Sequence, residues 1–192
     1  VVRDADGEIM PNATLQFDTA DEKRTTEEKE KESLMPKGME IIPVVYIVND
    51  CFKANTKTNP IRSNKSGRKS SDETPRQLAD KILNRILQMN EANDIENVKE
   101  IQIDCDWTAS TKDAYFEFLH IIKENAKDKK MQLSATIRLH QLSMTAPPVD
   151  RGILMMYNTG DVKQLSCQKP ILDMKDVAPY IQYLGNYPLP LS

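Results

Sequence analysis

Glycine is scarce in this chain, with 6 in 192 residues, and the six never gather into a phosphate-cradling loop. Phosphate chemistry would need such a loop or a cluster of cations, and the sequence has neither. Basic charge is not in excess either: 26 Lys and Arg face 29 Asp and Glu, for a net charge of −3. The Lys-rich stretches alternate with Glu, as in "DEKRTTEEKEKE", which argues against a nucleic-acid surface. Cysteine is limited to Cys51, Cys105 and Cys167, an odd number without CxxC spacing, so the thiols read as buried and not as a disulfide or metal framework. No run of about 18 apolar residues is present to cross a membrane. A signal peptide is also missing, but the chain opens on Val1 and closes on "YPLPLS" and reads as cut at both ends. The compartment of the full-length protein is therefore open, with the cell envelope or the exterior both compatible.

What is present is an ordinary globular composition, 39% hydrophobic and 29% charged, enough for one domain with a core over residues 1–192. Residues 1–38 read as an N-terminal insertion or loop region, with Val1 and Val2 as the tail of a preceding strand. The β-branched run 39–51 predicts a strand, and a polar loop rich in Lys, Asn, Ser and Gly follows it. Thr74-Pro75 opens an amphipathic helix with Leu78, Ile82, Ile86 and Met89 on one stripe. A strand through "VKEIQIDCDWT", a helix from Ser110 to Asn125, strands at 132–142 and 151–160, a helix at 173–186 and the start of a further strand in "YPLPLS" complete the order. His120, in mid-helix, is expected on the surface.

Strands alternating with helices predict a parallel sheet covered by its crossover helices. The choice between a barrel and an open sheet turns on strand polarity. In 132–142, Leu133, Ala135, Ile137 and Leu139 share one face, while Ser134, Thr136, Arg138 and His140 share the other. A doubly wound sheet wants both faces apolar. One polar face fits a strand whose outer side meets helices and whose inner side lines a barrel, so the expectation is an α/β fold, a partial (β/α)8 TIM barrel carrying strands three to seven in residues 39–192.

The segment "IQIDCDWT" (101–108) repeats this polarity, with Gln102, Asp104 and Asp106 on one face and Ile101, Ile103 and Cys105 on the other. Parallel barrels carry their sites at the C-terminal ends of the strands. That rule selects Asn49, Asp104, Asp106, Trp107, Arg138, His140, Gln141, Tyr157 and Asn158. Carboxylates beside aromatics suit sugar chemistry, because the carboxylates serve an oxocarbenium-like transition state and the rings stack on a sugar's apolar face. Two like charges at i and i+2 repel unless a cation intervenes.

The motif resembles the fourth-strand signature of family 18 glycoside hydrolases, the chitinase-like barrels, whose pattern is Asp-x-x-Asp-x-Asp-x-Glu, often with Trp before the Glu. "LMMYN" (154–158) is similar to that family's sixth-strand Met-x-Tyr-Asp. The resemblance implies a (β/α)8 barrel, with a bacterial branch as its nearest home, and Asp104 and Asp106 in the second and third acidic positions. Three positions depart from the pattern. Ile101 replaces the first Asp, Thr108 replaces the acid that protonates the leaving oxygen, and Asn158 replaces the Asp that helps hold an acetamido group. A threonine hydroxyl cannot serve as a general acid near neutral pH.

The sequence therefore predicts a carbohydrate-active, glycoside hydrolase-like barrel acting on an oligosaccharide or polysaccharide. Asp104 and Asp106 are the catalytic candidates, and Trp107, Arg138, His140, Gln141, Tyr157, Asn158 and Asn49 the substrate-binding ones. The alternative is a noncatalytic glycan-binding barrel that has lost its acid. Blander roles stand beside these: Asp104 or Asp106 paired with Arg138, His140 as an interior histidine, Trp107 as a plug at the barrel mouth. No cofactor and no metal are expected, because Asp104, Asp106 and His140 lack a metal-binding spacing.

Overall fold

The computed structural model describes residues 1–4, 8–13, 38–53, 74–157, 159, 168–169 and 171–192. Most of the N-terminal region, the polar loop, Asn158 and Cys167 lie outside them. A short antiparallel ladder pairs β1 (Val2–Arg3) with β2 (Ile9–Met10). The body is a four-stranded parallel sheet in the order β3 (Val44–Tyr46), β4 (Glu100–Asp104), β5 (Gln132–Arg138), β6 (Arg151–Met155). Three helices accompany it: α1 (Pro75–Ala92), α2 (Lys112–Asp128) and α3 (Met174–Leu184). Strand–helix alternation and parallel pairing agree with the sequence expectation. The four strands do not close on themselves.

Local chemistry explains the helix starts. Thr74 accepts from the Gln77 backbone N–H while Gln77 accepts from the Thr74 backbone N–H, and Pro75 fills the first turn. Asp173 caps α3 by accepting from the Lys175 N–H. The buried stripes Leu78, Ala79, Ile82, Leu83 and Ile86 of α1, and Tyr115, Phe118, Leu119 and Ile122 of α2, join the oily face of the sheet, Ile101, Ile103, Cys105, Leu133 and Ala135, in one core. His120 is exposed, as expected.

All four strands of the sheet are shorter than their sequence runs: 98–108 is strand only at Glu100–Asp104 and 151–160 only at Arg151–Met155, and the other two stop for local reasons. The run 39–51 is strand only at Val44–Tyr46: Pro43 has no N–H to donate, and Asn49–Phe52 coils into a 3₁₀ turn. The run 132–142 stops at Arg138, where Gln141 Oε1 accepts the Arg138 N–H at 2.8 Å and draws Leu139–Ser143 into a second 3₁₀ turn.

Hydrogen bonds of parallel type continue beyond both outer strands. Val1 donates from its amino group to Tyr46 O at 2.7 Å and accepts from Val48 N at 3.0 Å. At the other edge, Gly152 N donates to Pro190 O, Ser192 N to Gly152 O and Leu154 N to Ser192 O, so that Leu191 bridges Gly152 in parallel. The expected strand start in "YPLPLS" is present as this bridge.

Candidate functional site

The face of the sheet turned from α1 and α2 carries polar groups in rows. Strand register aligns Tyr46, Asp104, Thr136 and Ile153, and one step further up it aligns Arg138 with Met155. Below them, Arg151 of β6 clasps the buried Glu100 of β4 through Nε and Nη2 at 2.8–3.1 Å. The alternation read in 101–106 is thus the observed one, with Ile101, Ile103 and Cys105 buried and Asp104 and Asp106 on the polar side. Burial pushes the Cys105 thiol far up, leaving it an uncharged core group.

Arg138 is the cation between the two carboxylates. Its Nε donates to Asp106 Oδ1, and its Nη2 lies 3.6 Å from Asp104 Oδ1. Asp104 Oδ1 also accepts from Thr136 Oγ1 at 2.7 Å. The Asp104 side chain is 17% exposed and that of Asp106 is 50% exposed, so Asp104 forms the floor and Asp106 faces solvent. Burial pulls the Arg138 guanidinium down, but the hydrogen bond to Asp106 and the charges of Asp106 and Asp104 outweigh it and hold Arg138 above its ordinary value.

Asp106 and Arg138 open onto a cleft of about 910 Å³, lined also by Thr108, His140, Met155, Tyr157, Thr159, Lys175, Asp176 and Tyr180. Its α3 side is anchored by the Asp173 backbone N–H, which donates to Thr159 Oγ1 at 2.7 Å. The structure thus brings Asp106, Arg138, His140 and Tyr157 together, with Asp104 behind them. His140 reaches the cleft from the 3₁₀ turn and not from the face of β5, because that strand has already ended.

Three of the expected binding residues serve the fold instead. Trp107 is fully buried, its ring 5.1 Å from that of Phe116 and 6.1 Å from that of Tyr115, both on α2. It packs under a helix and is no sugar platform, since a ring without solvent contact cannot stack on a ligand. Gln141 is also fully buried, and besides accepting from Arg138 N it donates through Nε2 to Trp107 O at 3.0 Å, fixing the ends of β4 and β5 to each other. Asn49 accepts from Thr111 Oγ1 at 2.6 Å and donates to Thr108 Oγ1 at 3.5 Å, joining the turn after β3 to the loop before α2. Asn158 lies outside the described residues.

Tyr46 and the α3 wall were missed in the sequence. Tyr46 is a half-exposed aromatic whose register beside Asp104 no sequence spacing encodes. Lys175, Asp176 and Tyr180 carry no sequence signal, because only the packing of α3 against the Leu139–Ser143 turn brings them to the cleft. Among the described residues, no three His, Cys, Asp or Glu side chains are grouped to hold a metal ion, and no helix is long and apolar enough to cross a membrane.

No family model matches this chain, and no curated protein sequence matches it. Solved structures do. The chain is similar to a Bacillus subtilis protein described as a sporulation-specific glycosylase, at 14% identity and TM-score 0.42 over 58% of this chain and 40% of that one. It is similar to the spore cortex-lytic enzyme SleL of Bacillus cereus, at 19% identity and TM-score 0.44 over 76% and 32%. Catalytic domain 2 of the Group II chitinase of Ostrinia furnacalis gives 12% identity and TM-score 0.37 over 55% and 35%. The chain spans between about a third and two fifths of the length of these proteins.

Proposed function

We propose that this chain is part of a (β/α)8 barrel of the chitinase-like type and that its cleft binds a glycan. Three features support the barrel: a parallel sheet with one oily and one polar face, helices on the oily side, and outer strands that already carry the hydrogen bonds of a next parallel neighbour. The glycan reading is supported by "IQIDCDWT" and "LMMYN" and by carboxylates that share a cleft with Tyr157 and Tyr180.

The observation that carries binding over hydrolysis is the bridge of Arg138 to both carboxylates. Glycoside cleavage needs a group that donates a proton to the leaving oxygen. Two carboxylates engaged by one guanidinium are placed to orient hydroxyls and to face positive charge, and Thr108, at the position of the missing acid, cannot supply the proton. Asp106, Asp104, Arg138, His140 and Tyr157 then act as binding groups.

One observation favours a second reading, hydrolysis. Asp176 brings another carboxyl to the same cleft from α3, so Asp106 has a candidate partner for acid–base work. A glycan panel read for both binding and released product separates the two. Binding without product, weakened by Asp106→Asn, supports the binding module. Product that disappears in Asp106→Asn and in Asp176→Asn supports the hydrolase. Neither binding nor product on any glycan overturns both.

A further inference from the structure

Thr108 lines the cleft together with Asp106, which stands two residues before it in the chain. The residue is exposed, yet its hydroxyl is held in a group. Its Oγ1 lies 3.0 Å from Ser110 Oγ, 3.4 Å from Thr111 Oγ1 and 3.5 Å from Asn49 Nδ2. Thr111 anchors the group, being fully buried immediately before α2.

Hydrogen-bond capacity sets the order of donors. Thr111 Oγ1 has one proton, and it goes to Asn49 Oδ1 at 2.6 Å. With its oxygen accepting there, the Asn49 amide turns Nδ2 toward Thr108 Oγ1, where a nitrogen of this kind can only donate. Thr111 Oγ1 in turn accepts the Thr108 backbone N–H at 3.0 Å, which fixes the loop that carries Thr108. Thr108 and Ser110 then hold two hydroxyl protons with one short hydrogen bond between them, so one O–H is left over. When Ser110 donates, the surplus proton is that of Thr108, and its acceptor within the group is Thr111 Oγ1 at 3.4 Å, a long contact.

A sugar hydroxyl both donates and accepts. The carboxylates of Asp106 and Asp104 can only accept, and the Arg138 guanidinium is turned toward them. Thr108 adds a neutral donor beside Asp106 on the same wall of the cleft. An acceptor and a donor placed together match two vicinal sugar hydroxyls, one donating to the carboxylate and its neighbour accepting from the threonine.

We propose that Thr108 is a hydrogen-bond donor to the bound sugar, gripping a hydroxyl oxygen next to the one that donates to Asp106, and that Asn49 and Thr111 are positioning residues for it. This rests on the glycan reading above. Thr108 keeps its proton throughout, so the role belongs to binding and not to cleavage. Asn49 acts through Thr108 and does not touch the ligand.

The test is calorimetric titration of the 192-residue chain with the linear N-acetylglucosamine trimer, whose terminal ring carries a vicinal hydroxyl pair. Wild type is compared with Thr108→Val, Thr108→Ser, Asn49→Ala and the Asn49→Ala/Thr108→Val double variant, with urea midpoints measured alongside. Thr108→Val should weaken binding about fivefold, and Thr108→Ser, which keeps the hydroxyl, should stay within about twofold of wild type. Asn49→Ala should cost about threefold when Thr108 is present and almost nothing in the Thr108→Val background, whereas a merely structural Asn49 would cost the same in both. If Thr108→Val binds as wild type, or Thr108→Ser binds as weakly as Thr108→Val, the donor is wrong and the glycan reading survives. Equal losses from Asn49→Ala in both backgrounds overturn the positioning role. If wild type does not bind the trimer, the glycan reading fails for this sugar class and the role of Thr108 fails with it.

Discussion

Arg138 reaches across from β5 to Asp106, its Nε donating to Oδ1, while its Nη2 stays within 3.6 Å of Asp104. One guanidinium thus offsets the repulsion of two carboxylates on one strand face. Removing it leaves both uncompensated, and Asp104 is the more buried of the two. Arg138→Leu should cost about 1–2 kcal/mol by urea denaturation at neutral pH, a modest loss because the group is partly solvated. Adding Asp104→Asn, which keeps an acceptor for Thr136 Oγ1, should recover part of that loss. Strictly additive effects in the double-mutant cycle would contradict the bridge.

A second ionic contact ties β5 to α2. Asp150 accepts from Leu133 N at 2.8 Å through Oδ2 and pairs with Lys123 at 2.8 Å through Oδ1. Burial alone would raise its pKa, but the backbone hydrogen bond and Lys123 outweigh that and hold it below the usual 3.8. A depressed folded value means that the unfolded chain takes up this proton first. The contribution is fully present above the ordinary carboxylate range and is lost as the pH falls through the folded value. Asp150→Asn should therefore lower stability by about 0.5 kcal/mol at pH 7, a figure discounted for solvent screening, and the difference from wild type should shrink in strong acid. A gap that is constant with pH would rule the linkage out.

Much of this fold was legible because its polarity is periodic. The alternation in 101–106 assigned Asp104 and Asp106 to the face that does carry them, and the same parity places Trp107 with Ile101, Ile103 and Cys105 under α2. The aromatic-beside-carboxylate argument overrode that parity and sent Trp107 to the wrong side. Strand ends were not legible, since Gln141 stops β5 through a side-chain bond to Arg138 N that no periodicity encodes. Nor was the α3 wall, whose Lys175, Asp176 and Tyr180 reach the cleft only through tertiary packing. Tyr46 needed the β3–β4 register, which sequence spacing alone does not supply.

Gly152 is the position on β6 where the last residues of the chain come closest. A Cβ there would lie 2.7 Å from Leu191 Cδ2 and 2.8 Å from Ile137 Cγ1. Gly152→Ala should force one of them aside, at about 1–3 kcal/mol, and loosen the bonds from Gly152 N to Pro190 O and from Leu154 N to Ser192 O. Amide exchange at Gly152 and Leu154 should quicken relative to Ile103 and Ala135 in the centre of the sheet. Unchanged exchange at both would show that the Leu191 bridge does not depend on the missing side chain.

The buried Trp107 gives the sharpest separation between fold and site. It is the only tryptophan of the chain, and its ring is enclosed by Tyr115 and Phe116. Trp107→Phe removes ring volume from a packed layer and should cost about 1–2 kcal/mol through the void it leaves. Because the ring touches no solvent, wild-type indole emission should stay at short wavelength and should not move when an oligosaccharide is added. Glycan affinity of Trp107→Phe, measured below its lowered unfolding midpoint, should match wild type within about twofold. A large loss of affinity with unchanged stability would instead return Trp107 to the sugar.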